Sequence, residues 1–194
     1  DPVFYLVCIL FIGIHALNIL NLSIGADVNG GTGNSITIKK EKGSYHCGIW
    51  IENCTSANIQ DNEITKVSGA FSLEGINITE SADALVNMNT VTSVDVPVIV
   101  RGSCIDTEFH CNVFDNDTEP GLGVQLDLAD LPAQGSISDP WENEWFGYDD
   151  ITLFGVTGMA NNQFNWFYNT GDPKYNPHPE TGTAQTRQCH AGTR

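Results

Sequence analysis

Basic residues are scarce in this sequence. Its 194 residues include 8 Lys and Arg against 24 Asp and Glu, a formal net charge of −16, and between Arg101 and Lys174 there is no Lys or Arg at all. Nucleic acid and anionic membrane are excluded as partners, since each needs a basic face. Cys-x-x-Cys spacing is missing among Cys8, Cys47, Cys54, Cys104, Cys111 and Cys189, which argues against a structural zinc site. His46-Cys47 and His110-Cys111 are adjacent pairs, and neighbouring side chains on a strand point to opposite faces, so neither pair closes easily on one ion. The glycine-rich residues 25–35 lack the Gly-Lys-Ser/Thr ending of a phosphate loop. They also carry Ser35 where a calcium-binding nonapeptide would carry Asp. No Lys or Arg precedes Lys39, so the apolar start lacks the basic region of a signal peptide. A transmembrane helix over residues 3–22 would be broken by His15, Asn18 and Asn21 in a run rich in Val, Ile and Phe. That segment is read instead as consecutive buried strands, with no membrane insertion.

What the chain does contain is a repeat. Residues 48–64, Gly-Ile-Trp-Ile-Glu-Asn-Cys-Thr-Ser-Ala-Asn-Ile-Gln-Asp-Asn-Glu-Ile, return in outline at residues 75–91. Gly48, Ile49, Ile51, Ala57, Ile59, Asn62 and Ile64 fall on Gly75, Ile76, Ile78, Ala84, Val86, Asn89 and Val91. A third copy puts Ile99, Cys104, Asp106, Phe109, Asn112 and Phe114 in the same columns. Apolar residues at period two, broken by small polar ones and repeated at a nearly fixed interval, describe a strand-turn-strand unit. Such a unit cannot bury its apolar face alone and must stack on its own copies. Ile59, Ile64, Val86, Val91, Phe109 and Phe114 are expected to point inward, while Asn62, Asn89 and Asn112 stack at the strand spacing of about 4.8 Å as a structural ladder. The reading is all-β, a parallel coil of five to six rungs. It spans residues 1–170 with loop insertions at 25–35 and 129–147, and residues 171–194 form a proline-containing extended tail.

Apolar strands, Asn at a corner and rungs of about two dozen residues resemble the right-handed parallel β-helix, the pectate-lyase-like repeat. The run Gly121-Leu-Gly-Val-Gln-Leu-Asp, then Gln134-Gly, Asp139-Pro-Trp-Glu-Asn-Glu-Trp-Phe-Gly, Phe164-Asn-Trp-Phe-Tyr-Asn and Tyr175-Asn-Pro looks like the closing part of β-helix domains in secreted Bacteroidota surface proteins of the type IX secretion kind. That resemblance covers roughly residues 47–177. It implies an extracellular or cell-surface location and no assigned chemistry. If the chain is secreted, Cys47 with Cys54 and Cys104 with Cys111 are the local disulfide pairings to expect.

Two functions from different classes fit. The first is a structural or adhesive module of a larger surface protein. Its apolar first rung leaves N–H and C=O groups to be paired by another copy or by a neighbouring segment, while Trp141 and Trp145 cover the last rung. The second is a polysaccharide lyase, which needs carboxylates on Ca²⁺ and a base next to the uronate carboxylate. Arg101 is the one basic residue in the later rungs, with Asp83 and Asp106 in a shared column. Asp115, Asp117 and Glu119 are the residues that would hold Ca²⁺, and no other cofactor is expected. A third reading, glycan binding without catalysis, would use Trp50, Trp141 and Trp145 as stacking platforms for a polysaccharide. The sequons at Asn21, Asn53, Asn77 and Asn116 bear on function only in a eukaryotic secretory pathway.

Overall fold

The computed structural model describes residues 10–25, 33–39, 45–67, 73–115, 123–136, 138–146, 156–160, 166–168 and 173–175. Within them the alternating segments form strands in successive triplets. The first triplet is β1 (Leu10–Leu17), β2 (Ser23–Gly25) and β3 (Ser35–Lys39), and the second is β4 (Tyr45–Glu52), β5 (Asn58–Gln60) and β6 (Glu63–Val67). The third is β7 (Leu73–Thr79), β8 (Leu85–Asn87) and β9 (Thr90–Thr92), and the fourth is β10 (Val96–Ser103), β11 (Glu108–His110) and β12 (Val113–Asp115). β13 (Val124–Asp130), β14 (Glu144–Phe146), β15 (Val156–Ala160) and a 3₁₀ turn at Pro173–Tyr175 follow.

Like strands pair with like, in parallel. A long sheet runs β1-β4-β7-β10-β13-β15, a second β2-β5-β8-β11, and a third β3-β6-β9-β12-β14. This is a parallel β-solenoid. Among the described residues all three sheets advance together through about three turns, from the first triplet to the fourth, fewer than the five to six rungs expected, because no described strand follows β11 in the second sheet. Residues 129–147 are also not all loop: β14 lies among them and continues the third sheet on β12. Residues 173–175, read as extended tail, form the 3₁₀ turn.

The inward columns follow the register. Ile49, Ile76, Val98 and Val124 lie one above another in the long sheet. Ile24, Ile59, Val86 and Phe109 stack in the second, and Ile36, Ile64, Val91, Phe114 and Trp145 in the third. Ile59, Ile64, Val86, Val91, Phe109 and Phe114 are fully buried. Each aliphatic among them withholds enough apolar surface from water to contribute about 1.5–3 kcal/mol.

Two local devices let the chain turn. Where the long sheet meets the third, a glycine is needed because backbone and β-branched side chains crowd the seam. A Cβ on Gly48 would lie 2.7 Å from the Gly75 carbonyl oxygen and 2.9 Å from Ile64 Cγ2, and one on Gly75 would lie 2.5 Å from the Pro97 oxygen. After each of β1, β4 and β7 the corner residue is left-handed, with φ of 55° at Asn18, 50° at Asn53 and 46° at Glu80. These corner amides donate to the carbonyls of Glu52, Thr79 and Arg101 one turn on, so the strained geometry is held by the stack itself.

The cysteine expectation needs correcting. Cys47, Cys54 and Cys104 are free buried thiols, so neither local pairing forms, and Cys111 is disulfide-bonded. Cys47 and Cys54 are separated by most of β4, on the order of 15 Å or more at about 3.3 Å per residue. A disulfide needs Cα atoms within about 7 Å.

Candidate functional site

The chemistry-bearing residues gather on the outer face of the long sheet, where Arg101 of β10 stands between Thr79 of β7 and Asp127 of β13. Its Nε donates to Asp127 Oδ2 at 3.3 Å and its Nη2 to Glu74 Oε1 at 3.1 Å. The other oxygen of the buried Glu74 carboxylate accepts Asn77 Nδ2 at 2.7 Å, and Thr79 Oγ1 donates to Asn77 Oδ1 at 2.8 Å. The result is a polar chain across three strands, Thr79 to Asn77 to Glu74 to Arg101 to Asp127, with one cation set between two carboxylates.

Cys47, the β4 partner of Glu74, joins this cluster as a closed group. Its Sγ donates to the Ile49 carbonyl at 3.2 Å. Burial first, and the Glu74 charge second, push its thiol well above the ordinary range. A protonated, buried thiol is a poor nucleophile. The Arg101 guanidinium, for its part, is bonded to both neighbouring carboxylates. Among the described residues Asp83 and Asp106 make no contact with Arg101. Both are left-handed corner residues, and Asp83 Oδ2 accepts Ser56 Oγ at 2.6 Å.

The three tryptophans are not brought together. Trp50 stacks on His15 on the outer long sheet, ring centroids 4.9 Å apart. Trp141 lies over His110 of the second sheet at 4.2 Å, where His110 Nε2 meets Glu108 Oε2 at 3.0 Å. Trp145 is 4% exposed and packs against Phe114 at 4.7 Å and Trp166 at 5.6 Å. It belongs to the core and offers no stacking face to a glycan. Of the calcium residues, Asp115 ends β12, while Asp117 and Glu119 lie outside the described residues. Among the described residues no three His, Cys, Asp or Glu side chains are grouped as metal ligands.

Asn62, Asn89 and Asn112 do share a column, and it is longer than the sequence reading had it. Asn62 Nδ2 donates to Asn89 Oδ1 at 2.9 Å, Asn89 Nδ2 to Asn112 Oδ1 at 3.0 Å, and Asn112 Nδ2 to Asn143 Oδ1 at 2.8 Å. Asn34 Nδ2 begins the series on Asn62 Oδ1 at 2.9 Å. Asn34 and Asn143 were missed, yet a signal exists: all five asparagines stand two residues before the inward residue of the third sheet, Ile36, Ile64, Val91, Phe114 or Trp145.

Beyond β11 the edge of the second sheet is filled by one side chain. Buried Gln134 accepts Phe109 N–H at 3.0 Å through Oε1 and donates Nε2 to the Thr107 and Pro132 carbonyls at 3.0 and 3.1 Å. Trp166 covers Phe109 at 5.9 Å. Lys174 of the 3₁₀ turn bonds Glu144 Oε1 at 2.8 Å, a contact that raises the lysine's pKa above its usual range. Compared with family models, curated proteins and solved structures, the chain has no match.

Proposed function

We propose that this chain is a structural or adhesive β-solenoid module of a larger extracellular protein, of the kind secreted and displayed by Bacteroidota through type IX secretion. The observation that carries the reading is the use made of Arg101. It is the basic residue a lyase would need, and it is bonded to Glu74 and Asp127 across three strands. In that position it holds the sheet together. The resemblance of the segments from Gly121 to Tyr175 to the closing part of such surface domains supports the location. The solenoid supports the role, since a stiff stack of rungs presents its corners along an extended surface.

Arg101→Ala separates this reading from the enzyme. As a structural clamp, Arg101 leaves Glu74 without its charge-assisted bond when removed, and unfolding by urea should show a loss of about 1–3 kcal/mol. Neither the parent nor the variant should release unsaturated uronides from pectate or alginate with Ca²⁺ present. Product formed by the parent and abolished in the variant would replace the module with a lyase.

A further inference from the structure

We infer that the face formed by β1, β2 and β3 is a docking surface for one more turn of parallel β-solenoid, carrying an asparagine at the ladder position and supplied by a segment other than a second copy of this chain. The ladder is directional. In Asn62, Asn89, Asn112 and Asn143, Oδ1 accepts from the asparagine one turn earlier. In the same four residues Nδ2 also donates to a second-sheet carbonyl of that earlier turn: Ile24 at 3.2 Å, Ile59 at 2.8 Å, Val86 at 2.9 Å and Phe109 at 2.8 Å. Asn34 makes the forward contacts, N–H and Nδ2 to Asn62 Oδ1. Among the described residues it has neither backward one, no donor to its Oδ1 and no earlier carbonyl for its Nδ2.

A group that continues the ladder beyond the exposed Asn34 offers an asparagine N–H and amide together with a strand carbonyl, one ladder spacing of about 4.8 Å away. An in-register turn of the same kind does this. The rest of the face agrees, since among the described residues β1, β2 and β3 are each terminal in their sheets. Of the five exposed large hydrophobics among the described residues, Leu17, Ile19 and Leu20 lie in this first turn, whereas Ile105 and Leu128 lie singly in later ones, and apolar surface grouped in that way marks an interaction site more than a solvated one.

A second copy does not supply the missing groups. At the far end of the ladder, Asn143 spends its backbone N–H on the Trp141 carbonyl at 2.7 Å and its Nδ2 on the Trp141 and Phe109 carbonyls. Gln134 occupies the edge of β11, and Trp145 and Trp166 cover the core. Head-to-tail stacking therefore lacks its donor face, and head-to-head stacking would set acceptor against acceptor. The source of the turn rests on the module reading above, whereas the docking geometry is independent of secretion or adhesion.

The test uses the full chain, alone and with a second copy of residues 45–67 fused ahead of Asp1. Alone, the chain should sediment as a monomer at micromolar concentration, and amides of β1, β2 and β3 should exchange faster than those of β7, β8 and β9. The fused turn should slow exchange in β1–β3 by about tenfold or more, and an Asn62→Ala change confined to the fused copy should remove most of that protection. Dimers or filaments of the unmodified chain would overturn the inference. So would β1–β3 amides already as protected as β7–β9, a fused turn without effect, or equal protection from the Ala version. Uronide release, tested separately, would sink the module reading without touching this surface.

Discussion

Asn89 has the most to lose from a single change. Its Oδ1 accepts from Asn62, its Nδ2 donates to Ile59 and Asn112, and its N–H reaches Asn112 Oδ1 at 3.0 Å. Asn89→Ala strands several buried polar groups at once, each costing about 1–3 kcal/mol, and should lower the urea-unfolding free energy by about 3 kcal/mol or more. Asn34→Ala, at the exposed end of the same ladder, should cost less than half of that, and equal losses at the two positions would argue against the ladder as a cooperative device. The buried thiols set an alkaline limit. Burial, above all, pushes Cys104 up to about 11, and Cys47 is displaced in the same direction. The folded state thus holds these protons more tightly than the unfolded chain. The contribution is full below the ordinary thiol value of 9.0 and is lost as pH rises through the folded value. The urea midpoint should fall between about pH 9 and 11, and less steeply in Cys104→Ala. A midpoint that is flat over that range, or one that falls identically in the variant, would contradict the assignment.

Strands and corners were unequally legible in the sequence. Period-two alternation located the inward columns because burial on one face leaves no freedom of register. The matched Gly48 and Gly75 showed where a side chain cannot fit. Gly48→Ala should destabilise by about 1–3 kcal/mol, since neither the Gly75 carbonyl nor Ile64 can withdraw from a packed seam; a neutral result in thermal unfolding would mean that the seam relaxes. Corners were harder to read. Met88 and Cys111 take left-handed φ of 52° and 51°, although neither residue type signals such a turn, because the stack imposes the geometry at that column whatever occupies it. Trp145 marked the capping segment, but its polar members were hidden for a related reason. Gln134 completes β11 with a side-chain amide, and Asn143 ends the ladder from within a stretch whose composition reads as loop, so neither leaves a strand-like pattern. Arg101 was visible as a lone cation, but its partner Glu74 sits five residues before its register neighbour Thr79, and that reach along the sheet cannot be seen in one dimension.

At the scale of the whole molecule, the two ends of the coil differ. Aromatic side chains enlarge the inward columns toward one end, Val86 to Phe109 and Val91 to Phe114 to Trp145, and Trp166 closes over them. Among the described residues the other end is made of strand edges and the first asparagine of the ladder, Asn34. Stability should therefore be graded along the axis, since each turn is held by its neighbours and a terminal turn has only one unless it is capped. Native-state hydrogen exchange, resolved by residue, measures that gradient directly. Strands β11, β12 and β14 should be about as protected as β7, β8 and β9, with protection falling toward β1, β2 and β3. Equal fraying at both ends, or rapid exchange in β11 and β14 beside a protected β1–β3, would contradict it.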